Sequence, residues 1–125
     1  MGARINYVFN EGDEKPAVWL YSHWGETDWE ESIATAIWMA KPRWQDTSYA
    51  IRIIISQLIN NQWDSETGFG IGAVSKPSEF MAWDTTVEID MVNQQIDGHS
   101  FEEFCAYHLG ASNLENIGFR VPISS

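Results

Sequence analysis

The chain has 125 residues, 44% of them hydrophobic, and carries 18 acidic against 7 basic side chains, a formal charge of −11. That length predicts one domain spanning residues 1–125, with enough apolar material for a single core. So acidic a chain lacks the positive field needed to bind along duplex DNA or on an anionic membrane, and both functions are excluded.

Residues 4–10 alternate in β-rich types and predict a strand, followed by a turn at Glu11–Pro16. A second strand over Ala17–Ser22 pairs with it as a hairpin, placing Trp19, Tyr21 and His23 on one face and Val18 and Leu20 on the other. Thr27-Asp28-Trp29-Glu30 matches a capping box, and Trp29, Ile33, Ile37 and Ala40 then recur as a helical stripe that Pro42 ends. A second helix starts at Asp46 or Thr47 and runs through Ile51, Ile54, Ile55, Leu58 and Ile59. Its apolar content predicts the most buried element of the fold, with Arg52 as a charge that needs a partner or a ligand.

Turn chemistry over 60–67 leads into a glycine-rich strand at Gly68–Val74. Residues 76–84 form a loop containing the apolar run Phe80-Met81-Ala82-Trp83. Thr86–Met91 alternates cleanly, with Val87, Ile89 and Met91 inward and Glu88 and Asp90 outward. A second capping box, Ser100-Phe101-Glu102-Glu103, opens a short third helix that stops near Gly110. The last fifteen residues read as irregular, with a short strand at Ile117–Val121. The order β-β-α-α-β-β-α predicts an α+β domain, a mostly antiparallel sheet with two to three helices packed on one face.

The lone Cys105 excludes an internal disulfide and fits a reducing compartment. No apolar signal region and no stretch of about 18 apolar residues is visible, so a soluble cytoplasmic protein is expected. Seven tryptophans exceed what packing alone asks of a small domain, and Trp suits half-buried positions that line pockets or interfaces.

Several constellations carry candidate chemistry. Gly68, Gly70 and Gly72 enter a strand with no helix directly behind them, so they fail both phosphate-loop patterns and read as a bulge or turn. Cys105 and His108 could present two zinc ligands, yet a closed site needs four and no second pair is visible; no metal and no cofactor is expected. Ser22, His23 and Asp28 supply triad residue types, but neighbours on a strand point to opposite faces. His23 alone could serve as an acid or base in phosphodiester cleavage.

The strongest constellation gathers three of the seven cations, Lys41, Arg43 and Arg52, among aromatic side chains. Guanidinium groups bind phosphate bidentately and aromatic rings stack on bases, which nominates Tyr21, His23, Trp24, Arg43, Trp44, Tyr49 and Arg52 as a ligand site. The competing reading is a structural network, with Arg–Trp stacking and ion pairs to Asp46 or Glu30.

Leu20-Tyr21-Ser22-His23-Trp24-Gly25, Arg43-Trp44-Gln45-Asp46, Tyr49-Ala50-Ile51-Arg52-Ile53-Ile54 and Thr67-Gly68-Phe69-Gly70-Ile71 together resemble a family of small phage and prophage proteins. That family has a Tyr-Ser-His-Trp-Gly run, then Arg-Trp-x-Asp-x-x-Tyr-x-x-Arg, then Thr-Gly-Tyr-Gly-Ile; here Phe69 stands where the third motif has tyrosine. The resemblance covers residues 18–75 and implies a phage origin without bringing an activity. Small acidic phage proteins are often antagonists of host defence, and two mechanisms suit these residues. The first is a non-enzymatic binder that sequesters a nucleotide-type signal in the infected cell. The second is an inhibitor whose acidic surface blocks a host nuclease or other defence protein. A His23-dependent phosphodiesterase is third, and a homo-oligomer would suit the surplus tryptophans.

Overall fold

The computed structural model describes residues 4–23, 28–81 and 85–110. Trp24, Thr27 of the first capping box, Trp83 and the strand expected at Ile117–Val121 lie outside the described residues.

Strand β1 (Ile5–Asn10) and strand β2 (Ala17–Ser22) form the expected antiparallel hairpin, with Ile5 opposite Ser22 and Phe9 opposite Val18. Its loop turns at Gly12, whose φ of +104° suits glycine, and the Asn10 carboxamide oxygen accepts the Gly12 N–H at 2.7 Å. Helix α1 (Trp29–Met39), a 3-10 turn at Lys41–Arg43 and helix α2 (Thr47–Ile59) follow. Strand β3 (Phe69–Val74) returns antiparallel to β2. Strand β4 (Thr85–Asp90) runs parallel to β1, and the chain turns back through the short strands β5 (Gln95–Ile96) and β6 (His99–Ser100) into helix α3 (Phe101–Leu109).

The sheet order is β3-β2-β1-β4-β5-β6, antiparallel except for the β1–β4 pair, so the fold is α+β as expected. Alternation divides the strands between two faces. Ile5, Tyr7, Phe9, Leu20, Val87 and Ile89 lie on the helix-covered face and form one core with Ile33, Ile37, Ile54, Phe101 and Phe104. Asn6, Val8, Trp19 and Tyr21 point to the opposite face, where the Phe80 ring packs 5.5 Å from Trp19.

The helical layer explains one departure from expectation. Helix α1 packs against both α2 and α3, so it is the central helix. It buries Ile33, Ala34, Ala36, Ile37 and Trp38, whereas α2 fully buries only Ala50, Ile51 and Ile54. Helix α2 is therefore an outer helix, not the most buried element. Apolar content says how much surface a helix can bury, but layer order decides how much it does. The α3 capping box is present as predicted: Ser100 Oγ accepts the Glu103 N–H at 3.1 Å, and Glu103 Oε1 accepts the Ser100 N–H at 3.3 Å. Asp46 occupies the cap position of α2 without a side-chain cap bond. Thr47 instead donates to Glu11 Oε1 at 2.5 Å, tying α2 to the first hairpin. Among the described residues no helix is long and apolar enough to cross a membrane.

The glycine-rich strand has a packing explanation. Gly68, at φ +104°, turns the chain into β3, and its carbonyl accepts the His23 N–H at 3.0 Å. Gly72 faces Trp19 across the strand pair, and a Cβ there would lie 2.3 Å from the indole Cζ2. The missing side chain is thus the space into which Trp19 lies.

Candidate functional site

Six of the seven residues nominated from the sequence lie among the described residues, and those six do not converge. Tyr21 and His23 lie together on the sheet face away from the helices, with rings 5.2 Å apart and edge-on, and the phenol oxygen 3.3 Å from His23 Nε2. Arg43, Tyr49 and Arg52 lie on the other side of the sheet, on the solvent flank of the helical layer. The Arg43 guanidinium sits 5.0 Å from the centre of the Tyr49 ring, and Arg52 donates to Ser56 Oγ at 3.3 Å. All three are exposed, Tyr49 at 53%. Tyr49, Arg52 and Ser56 follow the three- and four-residue spacing of one helix face, so the Arg52 charge stays in water and needs no buried partner.

Trp44 is a core residue rather than a stacking platform. It is 8% exposed, its indole N–H donates to the Ile37 carbonyl at 2.9 Å, and its ring meets Trp38 and Phe101 edge-on. A ring enclosed on its faces cannot take a base between them. Trp24 lies outside the described residues.

Lys41, the remaining cation of the cluster, does face a cavity. Its ammonium lies 4.4 Å from the Trp38 ring centre and 5.9 Å from that of Trp44, and 3.5 Å from Glu102 Oε2. Two aromatic rings and a carboxylate thus surround the ammonium. From there opens a cleft of about 480 Å³, with Gln45 on one wall, Asn93 and Gln94 on the other, and Ser100 and Glu102 at the start of α3. A second cleft of about 330 Å³ shares Trp44, Gln45 and Gln94 with it and runs on to Thr47, Glu11 and Lys15. The two make one groove between the α1–α2 connection and the β4–β5 turn, with a lysine and a carboxylate in each part, Lys41 with Glu102 and Lys15 with Glu11, and carboxamides between.

Each wall has a local cause. The Asp90 carboxylate accepts the Val92 and Asn93 backbone N–H groups at 3.0 and 2.9 Å and the Asn93 side-chain amide at 2.9 Å, which folds the β4–β5 turn. Gln94 then adopts φ +57°, a left-handed conformation that a side chain such as glutamine rarely takes, and its carbonyl accepts the Phe101 N–H at 2.8 Å. Strained backbone of this kind concentrates at functional positions. The first turn of α3 adds the partial positive charge of a helix N-terminus.

Gln45, Asn93, Gln94, Ser100 and Lys15 were not nominated from the sequence. The Asp90–Asn93 turn carries a readable signal, an aspartate followed by asparagine three residues on. Nothing local, however, says that this turn faces residues 41–47.

The titratable groups of helix α3 divide between core and surface. Cys105 is buried, donates to the Ala34 carbonyl at 3.3 Å, and is pushed up to about 12 by burial and secondarily by Glu102, against a lowering by Lys41. The half-buried His108 ring is tilted against Phe104 at 4.4 Å and edge-on to Tyr107 at 4.9 Å. Among the described residues, no group of three or more His, Cys, Asp or Glu side chains is placed to hold a metal ion. Asn6 is completely buried, and among the described residues its carboxamide has no hydrogen-bond partner. Comparison with known protein families, with curated proteins and with solved structures finds no match for this chain.

Proposed function

We propose that this chain is a non-enzymatic binding protein that holds a small anionic ligand of nucleotide type in the groove between Lys41 and Lys15. The observation that carries the reading is the Lys41 ammonium, seated on the Trp38 ring, in the lining of a cleft shared with Gln45, Asn93 and Gln94. A lysine placed in this way offers its charge to a phosphate, and carboxamides pair with the donor and acceptor edges of a base. The volume suits a ligand of nucleotide size rather than a polymer. Together with the phage origin that the motif set implies, this supports sequestration of a nucleotide-type defence signal inside the infected host cell.

The test is to incubate the protein with mono-, di- and cyclic oligonucleotide signals, remove free ligand, and identify what heat denaturation releases. Intact ligand in molar proportion, lost in Lys41→Met, supports the reading. Absence of retention across the panel overturns it, and degraded product would transfer attention to His23 and an esterase reaction.

A second reading has its own observation. Tyr107 is 83% exposed beside Glu103, His108 and Asp97, which line a cleft of about 560 Å³. An exposed aromatic among carboxylates fits a basic protein partner, as an inhibitor of a host nuclease would need. Asp97→Lys and Tyr107→Ala, which line this cleft and not the groove, separate this reading from the first in a pull-down from host extract.

A further inference from the structure

We infer that two copies of this chain pair edge to edge through β3, joining their sheets into one continuous sheet across a two-fold axis at Ile71. The argument begins with the backbone. The His23 N–H bonds to the carbonyl of Gly68, its opposite residue, so the pairs 21–70, 19–72 and 17–74 are the hydrogen-bonded ones. The N–H and C=O groups of Phe69, Ile71 and Ala73 therefore point the other way, out of the sheet. β3 is an edge strand, and among the described residues nothing pairs with its outer side.

Natural edge strands are usually shielded by charge, proline, a bulge or brevity. This one has none of these. Residues 67–75 (Thr-Gly-Phe-Gly-Ile-Gly-Ala-Val-Ser) carry no charge and no proline, in a chain of formal charge −11, and Ile71 at the strand centre is 61% exposed. A charge-free strip is where two such acidic molecules can meet with least repulsion.

The strip is also complementary to itself. Antiparallel pairing centred on Ile71 sets Phe69 opposite Ala73 of the second copy, Gly70 opposite its Gly72 and Ile71 opposite Ile71, so the bulkiest ring meets a methyl and no two aromatic side chains collide. All three outward-facing residues then fall into hydrogen-bonded pairs. A foreign peptide would need none of this symmetry.

A strand edge alone covers less than the roughly 1,200 Å² of a stable interface. Helix α2 supplies more. In the helical layer α1 separates α2 from α3, and α3 contacts β5 and β6, so α2 lies at the β3 end. Its Ile55, Leu58 and Ile59 form a stripe left only half-buried, and Trp63, in the connection to β3, is 78% exposed. Pairing at β3 brings this flank toward its symmetry mate.

Sedimentation equilibrium from about 10 μM to about 500 μM tests the proposal, because self-association at this interface size falls in the micromolar range. The expected mass rises toward twice that of one chain, and the association tightens with added salt as like charges are screened. Ile71→Lys places a charge on the axis, and Ile71→Pro removes an outward N–H that β2 does not use; each should weaken association about tenfold or more while circular dichroism stays native. A monomer at every concentration overturns the inference, and so does a dimer that both natively folded variants retain. Should Ile71→Pro lose its native spectrum, Ile71→Lys alone decides.

Discussion

Gly72→Ala tests how the sheet face away from the helices is packed. The added methyl would sit 2.3 Å from Cζ2, 2.6 Å from Cε2 and 3.0 Å from Nε1 of Trp19, inside van der Waals contact on all three. The backbone of Gly72 is bonded into the β2–β3 ladder, so the indole must move, and it loses its packing on Phe80. Overpacking of this kind costs about 1–3 kcal/mol; because one side chain can swing aside, the lower half of that range is expected, about 1–2 kcal/mol. For a chain of this size that lowers Tm by about 4–8 °C. Gly70→Ala is the internal control. Its Cβ would meet Tyr21 only at 3.9 Å, an ordinary contact, and removal of glycine from a strand gains about 0.5 kcal/mol. Urea unfolding followed by tryptophan fluorescence, on both variants and on each combined with Trp19→Val, measures the effect. The Trp19→Val background should remove most of the Gly72→Ala penalty, a coupling above about 1 kcal/mol. Equal stabilities for Gly70→Ala and Gly72→Ala would refute the packing argument.

The remaining predictions concern the core and the surface cations. Trp44→Ala should cost about 3–5 kcal/mol in chemical denaturation, as loss of a core ring does; a ligand-stacking ring would instead lose affinity with little change in stability. Arg43→Ala and Arg52→Ala should each stay within about 0.5 kcal/mol of wild type, since both groups stand in water. Burial, and secondarily Glu30, raise the Tyr7 phenol above its ordinary range. The folded state therefore keeps a proton that the unfolded chain releases near pH 10, and stability should fall by about 1.4 kcal/mol per pH unit above that point. Buried Cys105, also pushed up, adds a loss of the same sign that begins near pH 9, so in urea titrations Tyr7→Phe should remove only the part of the slope that sets in above about pH 10.

Much of the fold is readable from local pattern because its causes are local. The Val87–Met91 alternation, the Ser100 capping box and the Pro42 stop each depend on a few neighbouring residues, and each appears in the structure as read. Helix α2 reads as the most buried element because Ile51 and the run Ile53-Ile54-Ile55 make it so apolar, while its outer place in the layer follows from long-range order. Arg52 is misread with it. The stripe of Tyr49, Arg52 and Ser56 is a solvent face, visible only once Ala50, Ile51 and Ile54 are known to define the buried side. The nominated site came apart for a related reason. Tyr21 and Arg43 are near in sequence, but strand alternation turns Tyr21 away from the helices. The groove at Lys41 depends on the parallel β1–β4 pairing, which carries the β4–β5 turn to the α1–α2 connection. No short motif encodes that meeting.

Equilibrium binding to the groove is the most direct measurement of the central claim. Calorimetric titration of wild type, Lys41→Met, Gln94→Ala and Arg52→Ala with whichever nucleotide the heat-release experiment recovers should give one site per chain. Lys41→Met keeps the aliphatic stem on Trp38 while deleting the charge, and should weaken binding about tenfold or more, the scale of a lost charge-assisted hydrogen bond. Gln94→Ala should also weaken it, with Arg52→Ala unchanged. Full affinity in Lys41→Met together with loss in Arg52→Ala would contradict the account and move the site to the outer face of α2.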